Sequence, residues 1–170
     1  MSRVLVAMGA NVGGVWGQPA QTLRRALTEL RRSGVRITAR SRIYTTQPIG
    51  KPAQPDYCNA VIAATTGLAP VALLGILKRL ERSAGRERGP VNGPRPLDLD
   101  LVCFNHRVIG WPPRRRSRGE LVLPHPEAHR RAFVLQPLLD VAPHWVHPVL
   151  QVPARVLLRR TRTKPGAVAA

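Results

Sequence analysis

Two aspartates, Asp98 and Asp100, sit one residue apart in the stretch GPRPLDLDLVCF, Gly93 to Phe104. The chain is poor in acid, so they stand out: 27 Lys+Arg face 9 Asp+Glu, a formal net charge of +18. A β-strand sends alternate side chains to opposite faces. On such a strand Leu97, Leu99, Leu101 and Cys103 share one face. Asp98 and Asp100 share the other, with Cα atoms roughly 6.5–7 Å apart. Two like charges at that spacing repel, and burial raises the cost. A divalent cation removes it. Carboxylate oxygens are the hard ligands that Mg²⁺ takes, usually one or two of them together with substrate phosphates. The alternative is an amphipathic strand with solvated aspartates, and D-x-D by itself does not decide between the two. Three features favour a site. Asp is disfavoured in strands. Arg86, Arg88 and Arg95 lie just upstream, and the loop GPVNGPR holds glycines that let backbone approach a ligand. Metal, arginine cluster and glycine-bearing loop together equip a site for a nucleotide polyphosphate.

These residues need a frame. Arg3 to Met8 reads as a strand. Leu23, Ala26, Leu27 and Leu30 recur at helical spacing in a helix over 18–32, with Gly34 as its stop. Val35 to Thr45 alternates in the manner of a strand. TTQPIGKPAQPD, with three prolines, is a loop, and Tyr57 to Thr66 is the next strand. Pro70 opens a helix striped by Leu73, Ile76, Leu77 and Leu80 up to Gly85. Leu97 to Phe104 is a strand, with Val108-Ile109 expected to pair back through Asn105-His106. Arg130 to Leu139 and Ala154 to Arg160 read as helices. The order β-α-β-β-α-β predicts an α/β (α+β) sandwich of ferredoxin-like kind, a mainly antiparallel sheet with helices packed on it.

At 170 residues the chain is expected to form one domain over residues 1–150, followed by a basic C-terminal helix or tail over 151–170. No apolar run approaches the ~20 residues that span a bilayer, and the start lacks the long apolar region of a signal peptide. A cytoplasmic protein and a monomer are expected. Cys58 and Cys103 are far apart and outside any C-x-x-C pattern, so two reduced, buried thiols are expected rather than a disulfide or a zinc site. Much of the excess charge lies in RRRSR, Arg114 to Arg118, and RRTRTK, Arg159 to Lys164. The alternative reading is a basic RNA-binding module of the same topology. Aromatics are only 4% of the chain and few of them sit among the arginines to stack bases, so nucleic acid is the weaker reading.

The stretch GPRPLDLDLVCF resembles the signature of the 6-hydroxymethyl-dihydropterin pyrophosphokinases of folate synthesis. Further segments match in order: GANVG (Gly9 to Gly13), YTTQPIG (Tyr44 to Gly50), QPDYCNA (Gln54 to Ala60), LERSAGRER (Leu80 to Arg88) and LPHPEAHRRAFVLQPLLDVAP (Leu123 to Pro143). The resemblance covers about residues 3 to 148. It implies the ferredoxin-like fold, ATP as co-substrate, two Mg²⁺ ions, and transfer of the β,γ-diphosphoryl group to the pterin hydroxymethyl oxygen. It implies that Asp98 and Asp100 bind metal, and that Arg86 and Arg95 act on the phosphates beside Arg88. Glu81, His125 and Arg131 would line the ATP site. Thr46, Gln47, Ile49, Tyr57, Asn59 and Phe133 would form the pterin pocket. A flat ring fits between Tyr57 and Phe133, and the Asn59 amide reads a donor–acceptor edge. The segments 46–56 and 85–96 are the expected lids. The chain departs from the family pattern at Asn92, where an aromatic is usual, and at Gln47, Glu120 and Val122.

Overall fold

The structure, a computed structural model, describes residues 1–48, 54–87, 93–112 and 120–162. The elements are β1 (Ser2–Ala10), α1 (Pro19–Arg32), β2 (Val35–Arg40), β3 (Tyr44–Thr46), β4 (Tyr57–Thr66), α2 (Pro70–Ser83), β5 (Asp98–Phe104), a 3₁₀ turn (Ala128–Arg130), α3 (Ala132–Val141) and α4 (Ala154–Arg162). The five strands form one sheet ordered β2-β4-β1-β5, with β3 also along β4. All pairings are antiparallel. This is the ferredoxin-like order expected from β-α-β-β-α-β, with a short strand added.

Alternation along β1 divides the interior into two cores. Val4, Val6, Met8 and Ala10 point to one face, where Leu23, Ala26 and Leu30 of α1 and Leu73 and Leu77 of α2 cover them. Leu5 points to the other, against Val134, Leu135 and Leu138 of α3 and Leu157 and Leu158 of α4. Helices therefore cover both faces of the sheet. α4 buries Ala154, Leu157 and Leu158 in the second core, so residues 151–162 share packing with the rest of the fold.

Three local expectations are corrected. The run Val35 to Thr45 is two strands, because Ser41 turns its hydroxyl into the ladder. Its Oγ accepts the Val61 N–H at 2.9 Å between the end of β2 and the start of β3. Cys103 does not share a face with Leu97, Leu99 and Leu101. The register with β1 slips by one residue between Leu5 and Val6, a β-bulge that sends Val102 and Cys103 into the second core and returns Phe104 to the first. Ile109 does not pair back on β5 but bridges Leu123 at 2.8 and 2.9 Å. Asn105, at φ 49°, spends its hydrogen bonds on Arg3 of β1 instead of closing a hairpin.

Candidate active site

Gly9 of β1 is in register with Asn59 of β4 on one side and Asp98 of β5 on the other. All three belong to the second face of the sheet. A Cβ on Gly9 would stand 3.2 Å from Asn59 Oδ1 and 4.0 Å from Asp98 Cβ, so a side chain here would fill the floor. Above it opens a cleft of about 470 Å³. Of the expected site residues, Thr46, Gln47, Tyr57, Asn59, Arg86, Arg95, Asp98, Asp100, His125, Arg131 and Phe133 line this cleft. Ile49 and Arg88 lie outside the described residues, as do Asn92 and the basic run Arg114 to Arg118.

Alternation along β5 sets the carboxylates. Leu97, Leu99 and Leu101 are buried in the first core, which leaves Asp98 and Asp100 side by side on the cleft face. Arg86 Nη1 donates to Asp98 Oδ1 at 2.5 Å, and Arg95 Nη1 donates to Oδ2 at 2.7 Å. Arg86 reaches this place because the chain reverses after α2. Gly85 takes φ 95°, and the Arg86 N–H donates to the Glu81 carbonyl at 3.0 Å. Burial alone would push the Asp98 carboxyl up, but Arg86 and Arg95, aided by Lys78, hold it below the ordinary carboxylate range.

Glu81 does not line the cleft. It is 3% exposed, beneath the floor. Its Oε1 accepts the Leu99 N–H at 2.7 Å and stands 2.7 Å from both Lys78 Nζ and Arg86 Nη1. It therefore ties α2 to β5 and fixes two cations at once. Burial pushes its carboxyl up and the Asp98 charge adds to this, while Lys78 and Arg86 pull the other way. Lys78, which the sequence reading missed, does line the cleft, with Nζ 3.8 Å from Asp100 Oδ1. Its position three residues before Glu81 on an expected helix was the available signal.

His125 Nε2 lies 3.7 Å from Asp100 Oδ2. Its Nδ1 accepts the Glu127 N–H at 3.2 Å, so in the neutral ring the proton sits on Nε2, facing the carboxylate. The Arg131 guanidinium stacks 5.7 Å from the Phe133 ring centroid. The Tyr57 hydroxyl donates to the Gly93 carbonyl at 3.2 Å, and burial pushes its pKa up. Asn59, 5% exposed, donates from Nδ2 to Thr46 Oγ1 at 2.7 Å, which fixes the plane of its amide. Glu127 and Arg130 line the cleft too, and neither was anticipated.

Asn11 lies in the GANVG segment, at the end of β1. It is 2% exposed and bonds to both loops that flank the cleft. Its Nδ2 donates to Gln54 Oε1 and to the Pro55 carbonyl, each at 3.2 Å. Its Oδ1 accepts the Arg95 N–H at 2.8 Å, and its own N–H donates to the Arg95 carbonyl at 3.1 Å. A buried Asn with partners on two distant segments is not legible before the fold is known.

The donor set fits a hard divalent cation. Each carboxylate oxygen has two lone pairs, so Asp98 can keep its arginines and still offer oxygen to a metal. Among the described residues no group of three or more His, Cys, Asp or Glu could hold a metal ion alone. Two carboxylates at a cationic cleft are what Mg²⁺ uses when substrate phosphates complete its shell.

Residues 5–143 match the family described as 7,8-dihydro-6-hydroxymethylpterin-pyrophosphokinase (HPPK). The chain is 38% identical over 144 residues to the 2-amino-4-hydroxy-6-hydroxymethyldihydropteridine pyrophosphokinase of Pseudomonas aeruginosa, covering 84% of this chain and 82% of that one. It is 37% identical over 138 residues to the mitochondrial folate synthesis bifunctional protein of Arabidopsis thaliana, covering 81% of this chain and 23% of that protein. The chain thus spans about a quarter of the bifunctional relative. In shape it is similar to the Plasmodium falciparum HPPK-DHPS A437G crystal structure with pteroate. The TM-score is 0.72 at 15% identity, over 98% of this chain and 44% of that one, which supports the fold alone. Motif order, sheet order and sequence likeness over most of the length agree: this chain belongs to the HPPK family.

Proposed function

We propose that the protein transfers the β,γ-diphosphoryl group of ATP to the hydroxymethyl oxygen of 6-hydroxymethyl-7,8-dihydropterin, giving AMP and the pterin diphosphate. One observation carries this reading: a single cleft is lined both by the Asp98–Asp100 pair with Arg86 and Arg95 and by Tyr57, Asn59 and Phe133.

In this reading the pterin ring lies against Tyr57 and Phe133, with the Asn59 amide, oriented by Thr46, reading its polar edge. Gln47 closes that side. Arg86 and Arg95 hold the phosphates, and His125 and Arg131 line the nucleotide path. Asp98 and Asp100 would hold Mg²⁺, two ions as the family implies, which offsets charge on the transferring group and on the leaving AMP. The pterin oxygen attacks the β-phosphorus. The bond from that phosphorus to the oxygen bridging it to the α-phosphate breaks, the electron pair leaves with AMP, and the hydroxyl proton is released. Catalysis is positioning plus charge neutralisation.

Ile49 and Arg88 are assigned to the pterin and ATP sides by the same family positions. We further propose a monomer working in the cytoplasm, with residues 1–150 as the catalytic domain and 151–170 as a C-terminal extension. No helix among the described residues is long and apolar enough to cross a membrane.

The test is AMP release from Mg·ATP with and without 6-hydroxymethyl-7,8-dihydropterin. AMP and pterin diphosphate in equal amounts, lost in Asp98→Ala and Asp100→Ala, are expected. Inorganic phosphate as product would point to a phosphohydrolase instead. Near-native rates in either Asp variant would remove the metal assignment.

A further inference from the structure

The ion-paired network at the cleft is balanced in charge, and Glu127, Arg130 and Arg131 line the cleft as well. Three acids, Glu81, Asp98 and Asp100, are met by three permanent cations, Lys78, Arg86 and Arg95. The arginines are bound to Asp98 and belong to the phosphate-handling set. Lys78 is placed differently. Its Nζ is held from below by Glu81 Oε1 at 2.7 Å and by the Leu99 carbonyl at 3.1 Å. Two acceptors on two elements hold the ammonium in the wall. It stands 3.8 Å from Asp100 Oδ1, beyond a short hydrogen bond, and acts on that carboxylate mainly through space. The side chain is 37% exposed, so the charge is felt in the cleft.

We propose that Lys78 is a positioning residue, a fixed counter-cation that makes a divalent metal ion and a triphosphate bind as one package. This rests on the reading that Asp98 and Asp100 take the metal. A metal ion entering alone meets the Lys78 charge beside Asp100 and adds positive charge to a cleft that Arg130 and Arg131, against Glu127, already tilt that way. A triphosphate entering alone is drawn to Lys78 but adds excess negative charge. Two divalent ions and a triphosphate of four negative charges enter together with no net change. Lys78 therefore weakens binding of the metal alone and strengthens binding of the polyphosphate alone. A purely structural lysine would change both affinities in the same direction, or neither.

The experiment compares wild type with Lys78→Met, Lys78→Gln and Lys78→Arg. Mn²⁺ alone is titrated by electron paramagnetic resonance, and metal-free α,β-methylene-ATP in chelator by calorimetry. Lys78→Met and Lys78→Gln are expected to bind Mn²⁺ about 5-fold or more tightly and the metal-free analogue about 5-fold or more weakly, from Coulomb energies at effective dielectrics near the protein surface. Lys78→Arg is expected to restore both values toward wild type. Circular dichroism checks the fold, and Lys78→Gln serves where Lys78→Met does not fold. Affinities that fall together, or that both stay within 2-fold, would overturn the proposal. Asp98→Asn and Asp100→Asn separate the two layers. If they lose Mn²⁺ while the Lys78 variants bind it normally, the metal reading stands and Lys78 has no such role. If they bind Mn²⁺ as wild type does, the metal reading itself fails and the Lys78 proposal with it.

Discussion

Replacing Glu81 by Gln changes one oxygen for one nitrogen in the most constrained part of the site. The carboxylate sits 2.7 Å from three donors, one backbone N–H and two cations. Hydrogen bonds to charged groups contribute about 1.5–3 kcal/mol each, and removing one partner from a buried ionic network costs about 3–5 kcal/mol. Gln keeps the volume and one acceptor, so the Leu99 N–H stays satisfied. What is lost is the charge facing Lys78 and Arg86, whose side chains are 37% and 23% exposed and regain some solvation. About 2–3 kcal/mol is the expected loss, a large share of the ~5–15 kcal/mol typical of a domain. At this chain length it lowers Tm by about 4–12 °C. Urea unfolding and calorimetry read it directly. Kinetically, Arg86 loses its lower tether, so KM for ATP is expected to rise several-fold with KM for the pterin less affected. A Glu81→Gln protein within about 0.5 kcal/mol of wild type, with unchanged KM for ATP, would refute the idea that Glu81 organises the cations.

Three further outcomes are expected. His147 is fully buried, its Nδ1 accepts the N–H groups of Val149 and Leu150, and burial first, then the nearby His129, push its pKa down to about 4 from 6.5. The unfolded chain therefore binds more protons between those values, so stability is full above pH 6.5 and falls as the pH drops toward 4. The gap is at most about 3.4 kcal/mol and about half that after screening, and urea unfolding at pH 7 and 4.5 should show a smaller loss in His147→Asn than in wild type. Asn11→Ala leaves the Arg95 N–H without its side-chain acceptor and frees both flanking loops, so a loss of about 2–3 kcal/mol with a rise in KM for both substrates is expected. The Cys103 thiol, buried and pushed up to about 11, should resist a disulfide reagent at pH 8 in the native protein, with the half-buried Cys58 reacting first and both reacting promptly in urea.

Regular elements were legible where local pattern and tertiary packing agree. Tyr57–Thr66 is a strand over the bounds read from the sequence, and the Asp pair faces away from Leu97, Leu99 and Leu101 as period two demands. Alternation fails where one residue is inserted, and nothing in VCF announces the bulge at Val102. Nor does the sequence say that Ser41 will enter a ladder, since a hydroxyl is equally at home in water. The site divides the same way. Among the described residues, those carried by dense motifs lie around one cleft, except that Glu81 is below it. A glutamate on a helix is read as solvated because that is the common case, and only the approach of α2 to β5 buries it. Lys78 pairs with Glu81 three residues on, a helical spacing, but its bond to Leu99 and that of Asn11 to Arg95 join residues 21 and 84 positions apart, a relation that exists only in three dimensions.

Gly9 also acts as a ruler. It stands in the middle strand, with Asn59 one strand to one side and Asp98 one strand to the other. Neighbouring strands lie about 4.8 Å apart, so these two anchors are separated by roughly 9.5–10 Å of backbone. That span is set by hydrogen-bond length, a constant no surface loop can stretch. The reach from the Asn59 amide to the acidic pair is thus built into the sheet, and loops on either side can drift in sequence without altering it.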